Sequence, residues 1–123
     1  MNIIVITGLL ASLSPTTLGV IGMAQPKTES VNIQSVIRLK AQDYGLDARL
    51  VEKIVYCESR GRFDAINTNK NGTTDKGLLQ INSIHNTREL DMFDPEDNLD
   101  FGLKMMQKQG LKPWLASSKC WMV

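Results

Sequence analysis

From residue 32 onward the chain alternates between stretches of helical hydrophobic period and short stretches punctuated by Gly and Asn. Ile33, Val36, Ile37 and Lys40 are spaced along one side of a predicted first helix, Ile33 to Tyr44, with Asn32 as N-cap and Gly45 as its stop. Asp47 caps a predicted second helix that runs to about Ser59. Leu50, Ile54 and Glu58 recur there at every fourth position, beside Val51 and Val55, which puts Glu58 on or at the edge of the apolar face. Residues 61–76 carry Gly61 and the run Asn69 to Gly72. Asn71-Gly72 between short extended pieces predicts a small irregular β-hairpin, with Asp75 in a turn after Thr73-Thr74. Gly77 to Ile81 continues as a short apolar helix or turn. Asp94 as N-cap and Pro95 at the first helical position open another helix. Leu99, Leu103 and Met106 form its stripe, flanked by Phe101 and Met105, and Gly110 ends it. Pro113-Trp114 opens a short last helix that delivers Cys120. The pattern describes an α+β fold, mostly helical, with a small β-hairpin element. It contains no internal repeat.

The first residues follow a different rule. Residues 1–26 carry no charged side chain, Ile3 to Leu13 is apolar, and Gly22-Met23-Ala24 has the small-x-small form of a signal-peptidase site. Residues 1–24 read as a secretion signal cleaved before Gln25. The competing reading is an N-terminal membrane anchor, because Ile3 to Ala24 nearly spans a bilayer, although Ser14, Pro15, Thr16 and Thr17 interrupt it. Residues 25–31 read as a linker and 32–123 as the folded domain. Either reading exports the domain, to a periplasmic or extracellular location, and leaves association with a membrane or a secretion system open.

The whole chain of 123 residues carries 14 basic and 13 acidic side chains, a net charge of +1, which argues against a dedicated nucleic-acid binder. It leaves polysaccharide, peptide and protein partners open. An even cysteine count in an exported chain suggests a disulfide, here Cys57 with Cys120, against the alternative of two buried free thiols. Such a bridge would close about 60 residues and remove about 4 kcal/mol of entropy from the unfolded chain. His85 is the single histidine, so neither a His-based zinc site nor a Ser-His-Asp arrangement is expected. Asn67-x-Asn69-x-Asn71-Gly72 touches the calcium-loop pattern but lacks the leading Asp, and Leu78 stands where the bidentate Glu belongs. The acidic run Asp91, Asp94, Glu96, Asp97 and Asp100 reads as a helix start complementing its dipole.

The chemistry lies in Glu58 and Asp75. Glu58 has apolar neighbours one and two helical turns earlier and sits at a helix C-terminus. Desolvation and the negative end of the helix dipole both raise a carboxyl pKa there, which suits a general acid. The plain alternative is a solvated Glu paired with Arg60 or Arg62. For Asp75 the plain alternative is an Asx-turn or cap. Two carboxylates in such different settings can titrate apart, and that is how glycosidic bonds are broken. Trp114 and Trp121 are candidates to stack on sugar faces or to fill the core.

Taken together, Glu58-Ser59, then Ala65-Ile66-Asn67, then Asp75-x-Gly77-Leu78-Leu79-Gln80-Ile81-Asn82-Ser83 resemble the lysozyme superfamily. The chain looks most similar to soluble lytic transglycosylase (SLT) domains, which it also resembles in Ser83-Ile84-His85 and in Phe93-Asp94-Pro95-x-x-Asn98-Leu99-x-x-Gly102. The C-type lysozymes share the Asp-to-Ser run and the late Trp114-Leu115-Ala116 with Cys120. The resemblance implies a lysozyme-like domain, monomeric, acting on peptidoglycan glycan strands without cofactor or metal. It implies Glu58 as acid/base on the bond between N-acetylmuramic acid and N-acetylglucosamine, with Ser59, Gln80, Asn82 and Trp114 on the substrate side. In the transglycosylase route Glu58 then deprotonates the muramyl 6-hydroxyl; in a muramidase route Asp75 assists and water completes the reaction. A non-catalytic glycan-binding or assembly module is the reading from another class. Two departures stand out. The late Tyr-Asn segment of transglycosylase domains is replaced by Trp114 to Trp121, and the several disulfides of animal lysozymes are missing.

Overall fold

In the computed structural model, residues 32–123 are described; the expected signal or anchor (1–24) and the linker (25–31) lie outside them. Helix α1 (Ile33–Asp43) starts where Asn32 accepts the N–H of Gln34 at 3.0 Å, and Gly45 follows its end at φ +70°. Helix α2 (Ala48–Ser59) starts at Asp47, whose carboxylate accepts the N–H groups of Arg49 and Leu50. It ends at Arg60, which is left-handed at φ 59° and lays its guanidinium 4.5 Å over the Tyr56 ring. Helix α3 (Pro95–Gln109) has the expected Asp94 cap and Pro95 start. A 3₁₀ helix (Lys112–Ser117) and helix α4 (Ser118–Trp121) complete the C-terminal segment. Among the described residues no helix is long and apolar enough to cross a membrane.

The β element is larger than a hairpin. Strands β1 (Ile66–Thr68), β2 (Thr74–Lys76) and β3 (Ile81–Asn82) form one antiparallel sheet with β2 in the centre. Asp75 is therefore not in a turn. It is the middle residue of the central strand, opposite Asn67 on one side and Asn82 on the other. Gly77 to Gln80 is a turn rather than a helix, and Ile81 belongs to β3. The hydrophobic pattern could not reveal this, because β3 has two residues and a strand that short carries no period.

Ile37, Ala41, Val51, Ile54, Val55, Leu78, Leu79, Leu99, Leu103 and both tryptophans share one core. The turn Gly77–Leu79 is fully buried, so its backbone polar groups need partners inside the protein. Asn98, with no exposed surface, supplies several of them. Its carbonyl accepts the Leu79 N–H at 2.9 Å, and its amide donates to Lys76 O and Met92 O, each at 2.9 Å. Space at this junction is so tight that a Cβ on Gly77 (φ +76°) would overlap Met92 O and the Asn98 amide, and one on Gly102 would overlap Leu79. Glycine is needed at both positions for close approach. On the far side of α3, Asp100 accepts from Lys40 Nζ and the Tyr44 hydroxyl, both at 2.9 Å, tying α3 to α1. Burial alone would raise the Asp100 carboxyl, but the hydrogen bonds from Lys40 and Tyr44 and the lysine charges outweigh it and hold the group below its ordinary value. Cys57 and Cys120 are joined in a disulfide that links the end of α2 to α4.

Replacing Asn98 by Leu takes the partner from the buried Met92 carbonyl and Leu79 N–H, and removes one bond to the Lys76 carbonyl, which also pairs with Ile81 in the sheet. Each such loss costs about 1–3 kcal/mol, so Asn98→Leu is expected to destabilise the domain by roughly 3 kcal/mol or more. Urea unfolding with an unchanged m-value would read this directly; a change under about 1 kcal/mol would show that water replaces the amide.

Candidate active site

A cleft of about 350 Å³ opens between the sheet, α2 and the C-terminal segment. Glu58, Asp75, Gln80, Asn82, His85, Pro113 and Trp114 are among its lining residues. The two carboxyls singled out from the sequence, 17 residues apart, thus meet in one depression.

Glu58 is partly buried in the last turn of α2, as its place at the edge of the apolar face predicts. It makes no ion pair with Arg60 or Arg62; among the described residues the ion pairs are Arg38–Glu52 and Lys40–Asp100. Its Oε1 instead receives the Ser117 hydroxyl at 2.5 Å. Burial is the largest influence on this carboxyl and raises its pKa, the Ser117 hydrogen bond opposes the rise, and the negative charge of Asp75 adds to it. The net effect is a pKa above the ordinary glutamate value. A carboxyl with these surroundings has the chemistry that general acid catalysis requires.

Asp75 is held differently. Its Oδ1 accepts the Asn82 amide at 2.7 Å and its Oδ2 the Asn69 amide at 2.9 Å. Both amides also donate to Thr73 Oγ1, at 3.1 Å each. Asn82 in turn accepts the Ile84 N–H at 3.0 Å. Strand pairing puts Asn82 opposite Asp75, and the β1–β2 loop folds Asn69 back onto it. The Asn-rich loop that brushes the calcium pattern serves to fix a carboxylate. Gln80 sits in the left-handed region at φ 50°, an uncommon conformation for a residue with a side chain, and its Nε2 donates to Ala65 O and Gly77 O. Its Oε1 has no partner among the described residues and Gln80 lines the cleft.

Two expected substrate-side residues, Ser59 and Trp114, are nearly buried. Ser59 is 4% exposed, donates to Val55 O at 3.1 Å, and does not line the cleft. Its hydroxyl is used up on the helix backbone, a common fate of serine inside a helix. Trp114 borders the cleft but is only 3% exposed, and its indole N–H donates to Leu79 O at 2.9 Å. So deeply buried, it offers no open face on which a sugar could stack. Trp121 is likewise core, its N–H shared between Trp114 O and Ser117 Oγ.

Ser117 is the residue that sequence reading missed. A signal was present: it lies three residues from Cys120, and Cys120 pairs with the neighbour of Glu58. His85 is also in the cleft lining, its ring 5.8 Å from Phe101. Among the described residues no cluster of metal-ligating side chains is found.

The sequence pattern of one family, described as the transglycosylase SLT domain, matches residues 35–114, more than half of the chain. No curated protein matches it.

A carboxyl whose pKa is raised on folding costs the folded state nothing while protonated. As pH climbs through the raised value, the folded state loses stability relative to the unfolded one. Glu58→Gln is therefore expected to raise the thermal midpoint at neutral pH, with the gain shrinking as pH falls into and below the ordinary carboxylate range. Thermal scans across that range check it, and a gain that does not vary with pH would remove burial of the carboxyl as its cause.

Proposed function

Because this chain belongs to the transglycosylase SLT family, a peptidoglycan-acting branch of the lysozyme-like superfamily, we propose that it cleaves the β-1,4 bond between N-acetylmuramic acid and N-acetylglucosamine as a lytic transglycosylase. The observation that carries this reading is the contrast between the two carboxyls of the cleft. Glu58 is partly desolvated, raised in pKa and open to the cleft. Asp75 has both oxygens already engaged by amides.

Glu58 in its protonated form donates to the glycosidic oxygen as the C1–O bond breaks and positive charge builds on the muramyl ring. The carboxylate that remains takes the proton of the muramyl 6-hydroxyl as that oxygen closes on C1, giving a 1,6-anhydro product with no water consumed. One carboxyl thus serves both steps. Asp75, pinned in the central strand, is a weak candidate for nucleophile, because its lone pairs are shared with Asn69 and Asn82. It acts at a distance, its charge favouring the cationic ring and keeping Glu58 protonated. Gln80 Oε1 and the rim around Asn82 supply acceptors and donors for sugar hydroxyls and acetamido groups.

Hydrolysis is the alternative that Asp75 keeps open, since both carboxyls face one cleft. The two routes differ in product, so mass spectrometry of soluble muropeptides released from purified peptidoglycan separates them. Termini in 1,6-anhydro-muramic acid support the transglycosylase, and reducing muramic acid supports the hydrolase. A folded protein that releases nothing from several peptidoglycan types points to a glycan-binding or assembly module. In the same assay Glu58→Gln is expected to lose at least about 100-fold in rate, the usual scale of general acid catalysis. Asp75→Asn should lose less. A near-wild-type Glu58→Gln would falsify the assignment of the acid.

A further inference from the structure

Ser117 Oγ stands among several polar groups. It receives the Trp121 indole N–H at 3.1 Å, lies 2.5 Å from Glu58 Oε1, and lies 3.1 Å from Trp114 O. A serine hydroxyl has one hydrogen to give, and here two acceptors compete for it. The Glu58 oxygen is nearer, and a carboxylate is the stronger acceptor. Trp121 is buried, so the N–H it aims at Oγ limits how the hydroxyl can turn. Glu58 Oε2, by contrast, has no hydrogen-bond partner among the described residues and is not a buried atom.

We propose that Ser117 is the positioning residue for Glu58, holding Oε1 as an acceptor and so reserving Oε2 as the oxygen that gives and later receives the proton. The inference rests on the reading of Glu58 as acid and base given above. It assigns a role to the segment that stands in place of the late Tyr-Asn motif. Three ties bring Ser117 to its post. The Cys57–Cys120 disulfide fastens α4 beside Glu58, Trp114 anchors the 3₁₀ helix to Leu79 O, and Trp121 clasps the turn between them. The other titratable groups facing Glu58 are Asp75, from the central strand, and His85, from the loop after β3; the C-terminal segment contributes the Ser117 hydroxyl to this face.

The hydroxyl has a signed effect. Donation to the ionised form favours that form, so removing it makes Glu58 harder to ionise. In Ser117→Ala the alkaline limb of the kcat/KM profile should move to higher pH, and the maximal kcat/KM should fall about tenfold through loss of a charge-assisted hydrogen bond that orients the acid. Ser117→Thr, which keeps the hydroxyl, should restore both.

The deciding measurement is independent of turnover. Carbon-13 NMR titration of the Glu58 carboxyl in the full chain should show its midpoint rising in Ser117→Ala and returning in Ser117→Thr. If Ser117→Ala does not fold, Ser117→Cys, a weak donor, takes its place against Ser117→Thr. An unmoved Glu58 midpoint in a folded Ala or Cys variant overturns the proposal, as does a rate loss equal at every pH. Wild-type protein that releases no muropeptides, while Glu58 still responds to Ser117, would instead defeat the functional reading and leave the contact standing.

Discussion

The cleft depends on how a buried turn has its backbone satisfied. Residues Gly77 to Leu79 pass through the core, where water cannot reach their N–H and C=O groups. Asn98 reaches in from α3 to take the Leu79 N–H, and Trp114 reaches in from the C-terminal segment to give to the Leu79 carbonyl. A single residue of the turn is thereby bonded to both helical walls. The sheet on one side of it carries Asp75 and Asn82, with Gln80 at the end of the turn itself. The 3₁₀ helix on the other carries Ser117. Because the unpaired alternative costs several kcal/mol, the geometry of the cleft is locked to the completeness of the core rather than to surface loops.

Glu58 owes its surroundings to the same arrangement. The helix that bears it buries Val51, Ile54 and Val55, so its last turn is drawn against the core and the carboxyl loses part of its water. A single polar contact, from Ser117, moderates that cost. Asp75 shows the opposite strategy on the facing wall, with amides on both oxygens. Two identical functional groups thereby stand in contrasting surroundings in one cleft.

The legible and the illegible parts of the sequence divide along physical lines. Asn32, Asp47 and Asp94 declare the helix starts, since capping is local and each cap bonds an N–H two or three residues on. The apolar period places Glu58 at the edge of the buried face, and the Glu-Ser with Gly-Leu-x-Gln pattern points to the SLT family that residues 35–114 match. Less legible were the strand position of Asp75 and the burial of Ser59 and Trp114. Two- and three-residue strands carry too little period to be seen, and a tryptophan's burial depends on which carbonyl its N–H finds.

The amino-acid sequence by itself determined the helices, their ends, the family and the pair of carboxyls, because each is written in local spacing or in a short motif. Only the tertiary structure decided which groups touch those carboxyls. Asn69 and Asn82 on Asp75, Asn98 across the turn, and Ser117 on Glu58 from 59 positions away are contacts between residues that chain order keeps apart. They exist because buried polar groups must be paired wherever the packing of the core happens to bring a partner within reach.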